Sequence, residues 1–272
     1  MKKNKPAILI ACLAVVLLVI GGIVLFMGKD KEGNAPKEKA KPVSSNFPAM
    51  AENGYVVYFN PETGKVGTEA DYNANTGASD TGNKSGFMKW YVFNDDGGKT
   101  VNLLLDHNTT AWTAWNSDYG ISEPDALNKQ LAKDVAGWTS TIRASARIIT
   151  AYEVAQSAGI MDFDPLIRNG EFLDEPSSYD FGVEYGTNPN SNPYAWLYDR
   201  TGDEALLSGA FNNSTGEKTE GYWTSTPNAE NEAWGVLDIG CMSTRYMEGF
   251  VNYGDKAYYG VRPVISILRI NL

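Results

Sequence analysis

The chain has 272 residues, a formal net charge of −10, one histidine and two cysteines. Residues 1–50 contribute +5 to that total, so the part that follows carries −15, a balance that argues against nucleic acid and other anionic polymers as partners. A histidine-based nucleophilic site has only His107 to build on, and a transition-metal centre, which leans on His and Cys, has only His107 and Cys241 outside the N-terminal region.

Residues 1–5 form a basic head (Lys2, Lys3, Lys5) ahead of residues 6–28, in which Pro6 to Met27 carries no charge. Such a run is long enough to cross a hydrocarbon core of about 30 Å, and it predicts a single transmembrane anchor. A cleaved signal peptide would have a shorter apolar region and a small-residue cleavage site, and Leu25-Phe-Met-Gly-Lys29 offers none. Leu9-Ile-Ala-Cys12 has the residue types of a lipoprotein signal, but its apolar stretch would end at Ala11. Lysines on both sides of the run leave the orientation undecided by charge count. The short head before a large C-terminal part favours a signal-anchor with the domain outside the cell membrane. Residues 29–50, rich in Lys, Glu, Ala and Pro, read as an extended tether. Residues 51–272 then form one extracytoplasmic domain, large enough for a single core. With Cys12 in the span and Cys241 alone, that domain has no internal disulfide, which suits a Gram-positive bacterium.

Within the domain, Gly54-Tyr-Val-Val-Tyr-Phe59 leads into the turn Asn60-Pro-Glu-Thr-Gly64 and reads as the first hairpin. Asp71 to Gly86 reads as a polar surface loop. Phe87-Met-Lys-Trp-Tyr-Val-Phe93 and Thr100-Val-Asn-Leu-Leu-Leu105 flank Asp95-Asp-Gly-Gly98, a second hairpin. Ser122-Glu-Pro-Asp125 predicts a capped helix start with Pro inside its first turn, followed by Leu127, Leu131 and Val135 at helical spacing and a stop at Gly137. Thr150-Ala-Tyr-Glu153 predicts a second helix with Val154, Ala155 and Ala158 inward and Gly159 at its end. Phe172 to Tyr222 reads as mostly irregular, with Tyr194-Ala-Trp-Leu-Tyr198 as a short strand. Three strand-like runs close the chain: Gly221 to Pro227, Glu232 to Gly240 and Tyr259 to Ile267. The order of strands, two helices, irregular region and strands predicts an α+β fold with a mainly antiparallel sheet.

The closing series, Gly221-Tyr-Trp-Thr-Ser, Ala233-Trp-Gly-Val and Tyr259-Gly-Val-Arg-Pro263, resembles the end of bacterial C-type-lectin-like domains, the fold shared with formylglycine-generating enzymes. Ala146-Arg-Ile-Ile-Thr-Ala-Tyr-Glu153 is similar to the family's R-L-P-T-x-x-E segment, with Ile149 in place of Pro. The resemblance spans about Phe87 to Ile267 and implies a C-type-lectin-like fold, which hosts both binding and catalysis. The formylglycine-generating enzymes use two cysteines where this domain has Cys241 alone, so that activity is not implied. Calcium is the one metal the composition allows. Animal C-type lectins bind sugar through calcium with E-P-N or Q-P-D and W-N-D. Here Glu123-Pro-Asp125 opens a helix, Asn94-Asp-Asp96 makes a turn without the Trp, and Asp162 and Asp164 read as loop. No cofactor and no metal ligand set is expected.

Trp90, Trp223 and Trp234 read as core. Arg262-Pro263 reads as scaffold, with Pro263 at a strand start and Arg262 paired to a buried carboxylate. The recognition chemistry falls on the polar, aromatic segment Ser243 to Tyr259, whose Arg245, Tyr246, Glu248, Asn252, Tyr253 and Asp255 combine rigid rings with adaptable polar groups. The functional expectation is a non-catalytic, membrane-anchored cell-surface module that binds a glycan, peptide or protein. The alternatives are an envelope enzyme using carboxylates on cell-wall or glycan material and a structural envelope protein.

Overall fold

The structure is a computed structural model and describes residues 53–76, 85–110, 113–117, 123–139, 146–166, 178–182, 192–198, 221–228, 232–246 and 259–269. The expected anchor, residues 6–28, and tether, residues 29–50, lie outside the described residues. Among the described residues no helix is long and apolar enough to cross a membrane.

The fold is α+β with two mainly antiparallel sheets and few helices. Its strands are β1 (Val56–Asn60), β2 (Lys65–Gly67), β3 (Met88–Phe93), β4 (Thr100–Leu105), β5 (Arg147–Ile148), β6 (Ser178–Asp180), β7 (Gly221–Pro227), β8 (Glu232–Leu237), β9 (Cys241–Tyr246), β10 (Tyr259–Gly260) and β11 (Pro263–Leu268). The helices are α1 (Glu69–Thr76), α2 (Asp125–Asp134), α3 (Ala151–Ser157) and α4 (Ala195–Tyr198). The first sheet has the order β2-β1-β3-β4-β11-β5 and the second β10-β7-β8-β9-β6. Every pairing is antiparallel except that of β10 with β7.

Both expected hairpins form, and their turns show why. Asn60 Oδ1 accepts from the Glu62 and Thr63 amides, and Gly64 takes φ +68°. In the β3–β4 turn, Asp95 and Asp96 accept from the Gly97 and Gly98 amides, and Gly97 takes φ +76°. Arg269 closes that turn from the chain's far end, pairing with Asp95 and donating to the Gly98 carbonyl. α3 has the expected capping box: Thr150 Oγ1 accepts from the Glu153 amide and Glu153 accepts from the Thr150 amide.

Four local expectations are corrected. Tyr194–Tyr198 is a helical turn, with Trp196, Leu197 and Tyr198 buried together, and not a strand. Three bulky apolar residues in a row can pack from one helical turn as well as from a strand, so the run did not discriminate. Asp71–Gly86 is not all loop: α1 starts beneath a reciprocal cap in which the Thr68 amide donates to Asp71 Oδ2 at 2.7 Å and the Asp71 amide donates to Thr68 Oγ1. The irregular region between Phe172 and Tyr222 contains β6, which pairs with β9. α2 begins at Asp125 with Pro124 at the N-cap and no side-chain cap there, so Pro124 precedes the first turn.

The core connects both sheets. One cluster joins Tyr91, Phe93, Leu104 and Val264 of the first sheet to Tyr222, Trp234, Val236 and Met242 of the second, with α3 and α4 contributing Val154, Ala155 and Leu197. Trp223 packs with Trp115, α2 and Tyr259, and Trp90 lies on the other face of the first sheet with Phe59 and Ile265. Trp90, Trp223 and Trp234 are all fully buried, as their strand positions required.

Arg262 is the junction. It is fully buried between β10 and β11, where the chain leaves the second sheet and enters the first. Its guanidinium donates to the carbonyls of Leu105, Asp106, Trp196 and Leu197 and lies 5.0 Å from the Tyr222 ring centre. The expected carboxylate partner is replaced by four backbone carbonyls, because β4 and α4 both end here and leave carbonyls without ladder or helix donors. Pro263 opens β11 as expected. Replacing Arg262 by Met should lower the unfolding free energy by about 3–5 kcal/mol in chemical denaturation, since buried carbonyls lose charged donors. A loss below about 1 kcal/mol would show that the clamp is not structural.

Candidate functional site

The segment expected from sequence to carry recognition chemistry leaves the second sheet at the end of β9. Arg245 lies opposite Ala233 and Tyr246 opposite Glu232, so both sit at the sheet end beside the β7–β8 turn. The side chains of Arg245 and Tyr246, and Glu248, Asn252, Tyr253 and Asp255 entirely, lie outside the described residues. The structure therefore brings two of the six candidates to one edge by their backbone and does not place the other four.

The scaffold on either side of residues 247–258 is close-packed. Met242, Ser243 and Thr244 of β9 are buried. Beyond the segment, Tyr259 is buried with its ring edge-to-face on Trp223, centroids 4.8 Å apart. A Cβ at Gly235 would meet the Tyr259 ring at 2.4 Å, and one at Gly260 would meet Asn108 Nδ2 and the Thr110 carbonyl at 2.5 Å. The glycines of Ala233-Trp-Gly-Val and Tyr259-Gly are thus needed for close approach. The Thr113 amide donates to the Tyr259 carbonyl, the Thr109 amide to the Val261 carbonyl, and the Val261 amide to the Thr110 carbonyl. The chain re-enters three strand places from where it left, about 14 Å at the usual strand spacing.

Two residues not anticipated from sequence mark the corner where β9 ends. Glu232 and Asn228 are only 4% and 7% exposed. Asn228 Nδ2 donates to Glu232 Oε2 at 3.2 Å, and the Asn228 amide to the Glu232 carbonyl at 2.6 Å. Thr226 accepts the Ala151 amide, and the Ser225 amide donates to the Ile149 carbonyl, so α3 starts against the same end of β7. Pro227-Asn-Ala-Glu-Asn-Glu232 reads as an ordinary polar turn. The one signal available was that Glu232 directly precedes the Trp-bearing β8.

Other polar groups have structural explanations. Thr109, Thr110 and Gln130 all donate to Asp134 and tie α2 to the segment after β4. His107 is fully buried within that segment. Burial pushes the Tyr222 hydroxyl up to about 12, so it stays protonated at neutral pH. Cys241 is half-buried at the start of β9. Phe163 packs edge-on against Tyr152, Tyr179 and Trp234, and Asp164 Oδ1 caps the Leu166 amide, while Asp162 is exposed in the same loop. Among the described residues no group of three or more His, Cys, Asp or Glu is arranged to hold a metal ion.

Comparison with protein-family models, with curated proteins and with solved structures returned no match.

Arg147 and Glu153 fix the start of α3 beside this corner. Arg147 Nη1 and Nη2 donate to the two Glu153 oxygens at 2.8 and 2.5 Å. Burial acts to raise the Glu153 pKa, but Arg147 and the Thr150 hydrogen bonds outweigh it and hold it below its ordinary 4.5. A carboxylate depressed in the folded state stabilises above its unfolded pKa, and that contribution is lost as pH falls. Glu153→Gln should cost about 1–2 kcal/mol at pH 7 and flatten the fall of Tm between about pH 5 and about pH 3. An unchanged acid limb would assign that loss of stability to other carboxylates.

Proposed function

We propose that the chain is a membrane-anchored, non-catalytic cell-surface module with a C-type-lectin-like fold. It recognises an extracellular glycan, peptide or protein through the segment that joins β9 to β10. Residues 6–28 anchor it, residues 29–50 hold it off the membrane, and the domain stands outside the cell. The uncharged run Pro6 to Met27 supports the anchor. The fold reading is supported by the order of elements: a first sheet closed by the C-terminal β11 between β4 and β5, two helices after the early strands, and β7, β8 and β9 as a meander.

The observation that carries the recognition reading is the framing of residues 247–258. Met242 to Thr244 of β9 and both residues of β10 are buried in one sheet, and between the two strands run Tyr253, Tyr258, Asn252, Glu248 and Asp255. A rigid frame under a connection that carries Tyr, Asn, Glu and Asp lowers the ordering cost that recognition by a loop otherwise incurs.

Replacing Tyr246, Asn252 and Tyr253 together by Ala should weaken binding to a partner identified on glycan or protein arrays at least tenfold, about 1.4 kcal/mol. Tm should stay within about 2 °C of the parent, because surface substitutions rarely exceed about 0.5 kcal/mol. Binding that survives this triple substitution would remove the segment as the recognition surface.

A further inference from the structure

The chain enters the domain at one end of the first sheet, and the second sheet is tied to the other. Val56 lies opposite Tyr91, Phe93 opposite Asn102 and Leu268 opposite Thr100, so the start of β1 and the finish of β11 share the near end. Asn53 Oδ1 accepts the Asn94 amide there, and the Gly54 and Val92 amides donate to the Val92 and Tyr55 carbonyls. Arg269 is held at the same end by Asp95 and by the Gly98 and Lys99 carbonyls. Phe59, Met88, Leu105 and Pro263 mark the far end, about 17 Å away along the six residues of β11. Both parts of β7 are bonded to that far end. Asn108 Nδ2 donates to the Gly221 carbonyl, and the Ser225 amide donates to the Ile149 carbonyl directly after β5. Thr109 and Thr110 hold Val261, and Arg262 clamps the next position to the Leu105 and Asp106 carbonyls. Residues 247–258 spring from the second sheet at Tyr246 and rejoin it at Tyr259.

We propose that the domain is a force-bearing link, built to carry tension between its chain entry at Asn53 and a partner held by residues 247–258. The proposal rests on the reading of that connection as the recognition surface and adds what the module does once bound. Tension between these points pulls β1 by its first residue and, by way of residues 259–262, pulls β11 by its first residue. The two pulls run in opposite directions along the strand axes. β1 then slides against β2 and β3, and β11 slides against β4 and β5. Hydrogen bonds of an antiparallel ladder lie across the strands, so sliding strains every bond of a ladder together. Tension between Asn53 and the last residue of β11 acts differently. Both points lie at the near end, so strand ends peel from the sheet and their bonds break one after another. Forced unfolding follows the unfolding barrier, and the same contacts make that barrier high in sliding and low in peeling. The Arg262 fork spreads the load, because tension arriving at Tyr259 passes to β4 and α4 as well as to β11.

The test pulls single molecules of the full-length chain in detergent, at one loading rate, from a biotinylated tag ahead of Met1. The second handle is a thiol, placed by Tyr258→Cys in one molecule and by Leu272→Cys in the other, with Cys12→Ser and Cys241→Ser in both. The handle at position 258 loads the sheet by sliding, and the handle at position 272 loads it by peeling. The first should unfold at a force at least about twofold above the second, because a whole ladder is strained at once. Equal forces, or a lower force from position 258, overturn the proposal. If Tyr258→Cys does not fold, Asn252→Cys puts the handle on the same connection and is read in the same way. Equal forces together with loss of the array partner by the Tyr246, Asn252 and Tyr253 triple variant leave the binding module and remove this inference alone. Unequal forces together with undiminished binding by that variant remove the partner's proposed contact, and the inference falls with it.

Discussion

A single buried guanidinium holds the domain at its centre. Taking Arg262 out of water is costly, and the fold compensates with four carbonyl acceptors and the face of Tyr222. Those carbonyls belong to the end of β4 and to α4, while Arg262 itself stands between β10 and β11. One side chain therefore binds the β10–β11 junction to two segments far away in sequence. The planar fork suits this role, because its donors point in fixed, divergent directions that several carbonyls can share.

The consequences run outward to the sheet end. With Arg262 fixed, Val261 is held by Thr109 and Thr110, and those threonines are held by Asp134 of α2. Tyr259 is then pressed between Trp223 and Gly235, and β10 lies parallel to β7. β8 is buried along its whole length, including its first residue, Glu232. A strand covered on both faces leaves no solvated side for an ionisable group, so the exposure of Glu232 is set by the packing of Trp234 and Val236 further along the same strand. Residues 247–258 leave and rejoin this close-packed platform, and the Asn228–Glu232 corner lies at its edge.

Much of this scaffold was legible in the sequence because its signals are local. Asp95-Asp-Gly-Gly98 and Asn60-Pro-Glu-Thr-Gly64 dictate turns by their own hydrogen bonds, and Thr150-x-x-Glu153 writes its cap explicitly. The same kind of signal at Thr68-x-x-Asp71 was hidden by the Asn- and Thr-rich residues after it, so α1 was read as loop. Tyr194–Tyr198 went wrong because a short apolar run has no period to read. Arg262 was placed correctly in the scaffold but given the wrong partner, since backbone carbonyls at the ends of distant elements leave no trace in side-chain identity. Glu232 escaped notice for a related reason: a charged residue at a strand start looks solvated until the neighbouring strands cover it. Of the six residues expected to carry recognition, Arg245 and Tyr246 lie by their backbone in β9, a strand that reads from sequence as part of the connecting segment, and the other four fall outside the described residues.

In the proposed binding module, the sheets supply position and the connecting segment supplies chemistry. Its central claim is that β9 and β10 are as firmly held as the core of the first sheet, and native-state hydrogen exchange measures that directly. The amides of Thr109 and Thr113, which donate to the Val261 and Tyr259 carbonyls, and of Val261, which donates to the Thr110 carbonyl, should exchange only through global unfolding, with the same free energy as amides of β4 and β11. Exchange of these three amides through a local opening several kcal/mol below the global value would contradict the account, because the segment would then hang from a mobile edge.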